Sequence, residues 1–391
     1  MRSSRHIGVD ATSWMLRRGF GRHARCLLTA LVEVDQRNRY TFFVDSPEAV
    51  PHLPEGVAVE VVDATSPTIV AASAEGPRRI RDIIAMSRAL SSRRLDLVLF
   101  PTLYSYVPVF GDARRLLVVH DATAEMYPRL TLGGWKNRIF WSAKTMLGRL
   151  QADVLVTVSD YSRDAIARQF GVAPSKLHVV GEAADPIFRV LDHPVPTPRL
   201  RELGVDASRR SVVYVGGFSL HKNVDMLVRV FGRLHHLPQF NDVDLWLVGD
   251  YEHDAFLSGY QDLARLVQAR GLGERVRFTG YLPDADLVVL LNLATVLALP
   301  SLTEGFGLPA IEAAACGCPV IATTESPLRQ VLGEGGRYID PRDDGSLDEA
   351  LAEVLASADV RARMRAAGIA AAGRLTWPAA ARNLLALIEA A

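Results

Sequence analysis

A chain of 391 residues, 49% hydrophobic and 23% charged, is too long for one ordinary core and sized for two α/β domains, and that composition excludes disorder. Lys plus Arg and Asp plus Glu each total 44, so no overall field draws the chain to nucleic acid or to an acidic membrane, and any such contact has to be local. Its 3 cysteines, Cys26, Cys316 and Cys318, close no disulfide framework, and Cys316-Gly-Cys318 lacks the further ligands of a zinc site.

That cysteine usage fits a reducing, cytoplasmic setting. The start, Met1-Arg-Ser-Ser-Arg-His6, leaves no room for a signal-peptide core. The longest charge-free apolar run, Leu287–Leu299, is interrupted by Asn292 and Thr295 and falls short of the roughly 20 residues needed to span a bilayer.

In chain order, short Val/Ile/Leu-rich runs alternate with longer stretches of helical period, the pattern of parallel sheets wrapped by helices. Residues 1–190 form the first predicted domain, with strands at His6–Asp10, Tyr40–Asp45, Val57–Val62, Leu95–Pro101, Leu116–His120 and Val154–Ser159. Gly19-Phe-Gly-Arg22 stands ahead of a helix expected from about His23. The helical segment Trp135–Leu150 gathers Trp135, Ile139, Ala143, Met146 and Leu150 on one face and Arg138, Trp141 and Arg149 on another. That second side reads either as a solvated face or as a Trp that meets a lipid interface or an acceptor.

Residues 191–210 break the rhythm with Pro194, Pro196 and Pro198 and are predicted to be a linker. A second domain over residues 211–373 follows, with strands at Ser211–Val215, Asp244–Gly249, Arg275–Thr279, Thr295–Pro300, Pro319–Ala322 and Gly336–Ile339. Its helices are expected from Val224 and over Tyr260–Arg270, Asp348–Ala356 and Val360–Gly373. A last amphipathic segment occupies residues 374–391, and there is no internal repeat.

The most informative stretch is Pro300-Ser-Leu-Thr-Glu-Gly-Phe-Gly-Leu-Pro-Ala-Ile-Glu312, a glycine loop between a strand and a helix. Pro309 suits a helix start, where free amides beside the positive helix end favour a phosphate. Glu304 on the loop and Glu312 on the helix can take different hydroxyls of one ligand. Glu312 reads equally as a complement to the helix dipole, and Glu304 as a solvated carboxylate.

Val215-Gly216-Gly217-Phe-Ser-Leu-His221-Lys222-Asn223 again leaves a strand for a helix, with Lys222 placed to neutralise a diphosphate, although a loop lysine is often only solvated. The pair Gly19 and Gly21 would let amides approach a phosphate or sugar, with Arg22 as a local charge, or would simply make a tight turn. His120-Asp121 stands at a strand's carboxyl end, where open α/β sheets bind ligands. Asp242-Val-Asp244 and Asp284-Ala-Asp286 match a metal-binding D-x-D pattern but sit where a strand entry and a first helical turn belong, and both are read as structural.

These motifs resemble the family-four retaining glycosyltransferases, whose GT-B fold sets two Rossmann-like, doubly wound parallel-sheet domains across a cleft. The likeness covers nearly the whole chain: Gly8-Val-Asp-Ala11, Gly19-Phe-Gly-Arg22, Val119-His-Asp121 with Tyr127-Pro128, Val156-Thr-Val-Ser-Asp-Tyr-Ser162, Val215-Gly216 with Lys222-Asn223, Gly280-Tyr281, and Glu304-Gly-Phe-Gly-Leu-Pro309 through Glu312. The resemblance implies that Glu312 binds the donor ribose, that Glu304 and Gly305 with the amides of Phe306, Gly307 and Leu308 hold the transferred sugar and diphosphate, and that Lys222 stabilises the leaving diphosphate. It places His120 near the transferred sugar, Gly19–Gly21 over phosphate or acceptor, Gly216, Gly217 and His221 at the donor, and Tyr281 and Leu282 at the base. Arg22, Asp121 and Trp141 are the acceptor-side candidates, and the final helix is expected to return to the first domain.

The implied activity is metal-independent retaining transfer of a hexose, with mannose from GDP-mannose as first choice. The acceptor is a saccharide or lipid-linked saccharide in polysaccharide or glycoconjugate synthesis, with no cofactor, no nucleic-acid partner and peripheral contact with the inner membrane face. The alternatives are a sugar-nucleotide epimerase, a phosphorylase or a non-catalytic sugar-nucleotide-binding partner. Two positions depart from the pattern: His221 stands where relatives often have Arg, which is expected to weaken diphosphate binding or make it pH-dependent, and Glu182-Ala-Ala-Asp185 stands where they often show Asn-Gly-Val-Asp.

Overall fold

The computed structural model describes residues 4–16, 19–64, 80–251 and 258–391. It forms two compact units, Met1–Glu182 joined by Thr376–Ala391, and Ala183–Leu375. The first is built on a 7-stranded parallel sheet of order β3-β2-β1-β4-β5-β6-β7. These strands are β1 (His6–Asp10), β2 (Arg39–Val44), β3 (Ala58–Val61), β4 (Leu97–Phe100), β5 (Arg114–Val118), β6 (Val154–Thr157) and β7 (Leu177–Val179). β4 and β6 are buried throughout, which is why their residues run continuously apolar instead of alternating. β7 was not expected, because three residues are too few to show a period.

The second unit carries a 6-stranded parallel sheet of order β10-β9-β8-β11-β12-β13. Its strands are β8 (Arg210–Val215), β9 (Val243–Val248), β10 (Val276–Gly280), β11 (Val296–Leu299), β12 (Val320–Thr323) and β13 (Gly336–Ile339). The strand order reverses at β1/β4 in one sheet and at β8/β11 in the other. Connections at such a reversal leave towards opposite faces and open a crevice at the carboxyl ends, where ligands of open α/β sheets bind.

The longer helices of the first unit are α1 (Gly19–Val34), α2 (Ile80–Ser92), α3 (Gly134–Gln151) and α4 (Asp160–Phe170). Those of the second are α5 (Val224–His235), α6 (Tyr260–Ala269), α7 (Asp284–Leu293), α8 (Leu308–Ala315), α9 (Asp344–Ala356) and α10 (Ala358–Ala372), after which α11 (Trp377–Ala390) rejoins the first. No described helix is long and apolar enough to cross a membrane.

α1 buries Ala24, Leu27, Leu28 and Leu31 at three- and four-residue steps, and α11 packs along it through Trp377, Ala381, Leu384 and Ile388. Arg5 donates to the carbonyls of Ile388 and Glu389, and Arg114 Nη1 donates to the Ala391 carbonyl at 2.7 Å. α1 begins at Gly19 rather than near His23, so Gly19-Phe-Gly-Arg22 is its first turn and not a loop ahead of it. A Cβ on Gly21 would stand 2.1 Å from the Leu16 carbonyl oxygen; glycine is there for packing.

The stretch 191–210 differs from a free linker. It packs on the second unit: the Leu191 amide donates to Asn292 at 2.8 Å, and Thr197, which caps a helical turn over Pro198–Glu202, donates to Asp286 at 2.6 Å. The exchange between units falls at Glu182/Ala183, ahead of the prolines. Asp242 pairs with Arg210, Asp244 takes both Arg209 and Arg275, and Asp284 and Asp286 sit in the first turn of α7.

Candidate active site

At the β8/β11 reversal, chain geometry brings two loops together. β8 leaves through Gly216-Gly217, where the Tyr214 hydroxyl donates to the Gly217 carbonyl at 2.5 Å. A Cβ on Gly216 would lie 2.6 Å from that hydroxyl, and one on Gly249 would lie 1.9 Å from the Gly216 carbonyl oxygen. The loop then makes one tight turn over Leu220–Lys222 and reaches Asn223, which is left-handed at φ 56°. Asn223 Nδ2 donates to the carbonyls of Pro300 (3.1 Å) and Pro341 (2.8 Å), and the Leu302 amide donates to the His221 carbonyl at 2.9 Å. The exit of β8 is thereby tied to the exit of β11.

This tie sets the charged groups. Lys222 Nζ lies 2.8 Å from Glu304 Oε1, and the Ser301 hydroxyl donates to the same oxygen at 2.6 Å. Lys222 keeps 25% of its side chain exposed and Glu304 12%. An ammonium has three N–H donors and Glu304 takes one, so the pair presents cationic donors at the rim of the reversal. Gly307, left-handed at φ 89°, starts α8; a Cβ there would stand 2.9 Å from Leu328. Phe306 and Leu308 are buried beside it, Pro309 occupies the first turn, and Glu312 is buried one turn on. Gly305 is buried in the same loop.

His221 is buried and points away from an ionic role. Burial, and next the neighbouring Lys222, push its pKa down to about 3. Without a bound anion it is neutral at physiological pH, which fits the expectation of a weaker diphosphate contact than an Arg would give. Tyr281 is half-buried with its carbonyl accepting from Arg199 at 3.0 Å, and Leu282 is buried behind it.

In the first unit His120 follows β5, with Nε2 3.1 Å from the Pro101 carbonyl and Nδ1 3.7 Å from Glu182 Oε1. Behind it His23, fully buried on α1, sets its ring 4.5 Å from His120 and its Nδ1 2.5 Å from the same carboxylate oxygen. Burial, then His120, hold the His23 pKa below its usual value against the pull of Glu182. Burial raises the Glu182 carboxyl, but its contacts with His23 and His120 outweigh that and leave it lowered.

The ligand atoms of His23, His120 and Glu182 lie within 4.8 Å of one another, a set of types that can hold a metal. Two ligands of one tetrahedral ion with bonds near 2.1 Å stand about 3.4 Å apart. The 2.5 Å between His23 and Glu182 is instead hydrogen-bond distance, so the trio reads as a buried polar chain behind His120.

A small pocket beside His120 is lined by Thr102, Tyr104, Asp121, Glu125 and Trp141. Tyr104 lies 4.9 Å from Trp141 and stacks at 5.0 Å on Phe20. Trp141 Nε1 donates to Glu125 at 2.7 Å, and burial raises the Glu125 carboxyl above its usual range. Asp121 accepts the Thr123 amide at 2.7 Å, which commits one of its oxygens to the local turn. Arg22 sits half-buried in the first turn of α1. Trp141, half-buried, is a wall of this pocket.

The loops of Lys222 and Glu304, two separate candidates in the sequence, meet in one place, and His23, Tyr104, Glu125 and Ser301 are neighbours to which the sequence reading assigns no role. Only the Glu182 departure signalled any of these.

Two Rossmann-like parallel sheets, the second with the Lys222–Glu304 pair at its reversal, are the GT-B class of fold. Within that class the chain belongs to the group 1 and family 4 glycosyltransferases: residues 199–371 match "Glycosyl transferases group 1" and residues 17–186 match "Glycosyltransferase Family 4". It is 30% identical over 250 residues to O-antigen chain mannosyltransferase B of Escherichia coli, 62% of each chain. It is 31% identical over 245 residues to D-inositol 3-phosphate glycosyltransferase of Thermobifida fusca, 60% of this chain and 54% of that one. The matches thus span less than two thirds of these relatives' lengths. Anabaena HepE, solved in complex with UDP-glucose, shares the fold with a TM-score of 0.73 over 99% of both chains at 17% identity.

Proposed function

We infer that this chain transfers a hexose from a nucleoside-diphosphate donor to a saccharide or lipid-linked saccharide acceptor, with retention at the anomeric carbon and no metal. The observation that carries this reading is the 2.8 Å Lys222–Glu304 pair at the β8/β11 reversal, beside the start of α8. A diphosphate leaving group needs compact positive charge and backbone donors, and Lys222 and the first turn of α8 are the groups that support this reading.

In this reading Lys222 and the amides around Gly307 and Leu308 take the charge that develops as the glycosidic bond to the diphosphate breaks. The acceptor oxygen then attacks the same face of the sugar and loses its proton to the departing phosphate. Glu304, held by Ser301 and Lys222, fixes the sugar, and Glu312 accepts from ribose hydroxyls. His120 acts beside the transferred sugar, and Asp121 and Trp141, which line the same pocket, meet the acceptor. Mannose remains the first sugar to test, as the name of the Escherichia coli relative suggests.

The test is turnover of GDP-, UDP-, ADP- and dTDP-sugars with EDTA present. One donor responding, and Lys222→Ala cutting its turnover by about 10²–10³-fold, the size known for single charge-stabilising donors elsewhere, supports the reading. Donor binding with no transfer across acceptors would replace it with a sugar-nucleotide sensor.

A further inference from the structure

Behind His120 stands a carboxylate, Glu182, in the segment that departs from Asn-Gly-Val-Asp. Glu182 is buried, with 5% of its surface exposed, and a carboxylate withstands such burial when it is paired. Its partners are two imidazoles that meet at one oxygen: His23 Nδ1 lies 2.5 Å from Oε1 and His120 Nδ1 3.7 Å. The two rings stand edge to face with centroids 4.5 Å apart, and Trp377 packs edge-on against His23 at 5.7 Å.

Counting protons separates the two histidines. A carboxylate and a backbone carbonyl can only accept. His23 at 2.5 Å from Glu182 therefore carries its proton on Nδ1, and its buried Nε2 has no hydrogen-bond partner among the described residues that would call for a second one. Burial, and next His120, hold the His23 pKa down, in keeping with a neutral ring. His120 is placed differently: Nε2 lies 3.1 Å from the Pro101 carbonyl and Nδ1 faces Glu182, so both of its nitrogens look onto acceptors. A neutral imidazole would aim a lone pair at one of them, whereas the imidazolium satisfies both. The other titratable groups lining the pocket beside it, Asp121 and Glu125, are acids and do not oppose that charge.

We propose that Glu182 is a positioning residue for His120, holding its ring as an imidazolium with both N–H groups committed to Glu182 and Pro101, so that His120 meets a ligand as fixed positive charge and not as a base or a hydrogen-bond acceptor. The effect on turnover rests on the proposed place of His120 beside the transferred sugar; the proton count does not.

The experiment is ring nitrogen-15 NMR of the full chain, labelled at histidine, from pH 5 to pH 9, with His23→Gln and His120→Gln to assign the signals and Glu182→Gln and Glu182→Asp as the tests. The expected result at pH 7 is His120 protonated on both nitrogens and His23 on Nδ1 alone. In Glu182→Gln, which keeps the volume and removes the charge, His120 loses its second proton about one pH unit or more lower, and Glu182→Asp restores part of the difference. The alkaline fall of kcat moves with it, with donor KM unchanged. The spectra need neither donor nor acceptor, so failure here is distinct from failure of the transferase reading. A His120 with one protonated nitrogen in the parent at pH 7 overturns the proposal whatever the variants do, and so does the same titration, or the same kcat profile against pH, in parent and Glu182→Gln.

Discussion

At the scale of single residues, two buried histidines, His221 and His23, stand beside the charged groups with lowered pKa values. His221 has a folded pKa of about 3 against an ordinary 6.5, so between those values the unfolded chain binds a proton that the folded chain refuses. The stability from keeping it neutral is complete above 6.5 and is lost as pH falls towards 3. His23, also lowered, and Glu182, a lowered carboxyl, push in the same direction on the acid side. Urea midpoints should therefore drop between pH 7 and pH 4, and His221→Gln should flatten that drop; parallel curves for parent and variant would contradict the assignment. At Glu312 the exchange to Gln keeps the volume and removes the charge. Donor KM should rise by about tenfold, the value of one charge-assisted hydrogen bond to a ribose hydroxyl, with kcat little changed.

At the scale of elements, α11 is the piece whose place matters most to the first unit. Leu384 and Ile388 are fully buried on α1, and Trp377 stands 5.7 Å from His23, next to the pocket beside His120. Leu384→Ala should cost about 2–5 kcal/mol of that unit's stability in denaturant unfolding, the range for a buried leucine cavity, and no measurable loss would mean that α11 is only loosely docked.

Elements were also where the sequence was easiest to read and easiest to misread. Buried parallel strands announce themselves as apolar runs, so β4, β6, β11 and β12 were found within a residue or two. The start of α1 was misplaced because two glycines look like a loop, and only the close approach of Leu16 explains one of them inside a helix. Three prolines mark the segment as a linker, and only the fold shows that Asn292 and Asp286 hold it. α3 had the right stripe on the wrong side, since periodicity finds a face but not which way it points. Lys222 and Glu304 were legible as loop residues, yet Ser301 and the His23–Glu182 contact required the fold.

At the scale of the whole molecule, two similar sheets have been given different chemistry at corresponding reversals. The first places a buried polar chain and an aromatic pocket there, the second an ammonium, a carboxylate and a helix start. Substitutions in one unit should accordingly separate kinetically. Tyr104→Ala should raise the KM for the acceptor by about tenfold through the lost aromatic platform while leaving donor KM unchanged, as bisubstrate kinetics would resolve. Equal effects on both substrates would contradict the division of labour.

The measurement that bears most directly on the central claim is product formation by the parent and by Lys222→Ala with the responding nucleotide sugar in EDTA. A loss of about 10²–10³-fold in kcat, with the variant still folded, is the predicted result. Undiminished turnover in Lys222→Ala would contradict the account of leaving-group stabilisation at the β8/β11 reversal.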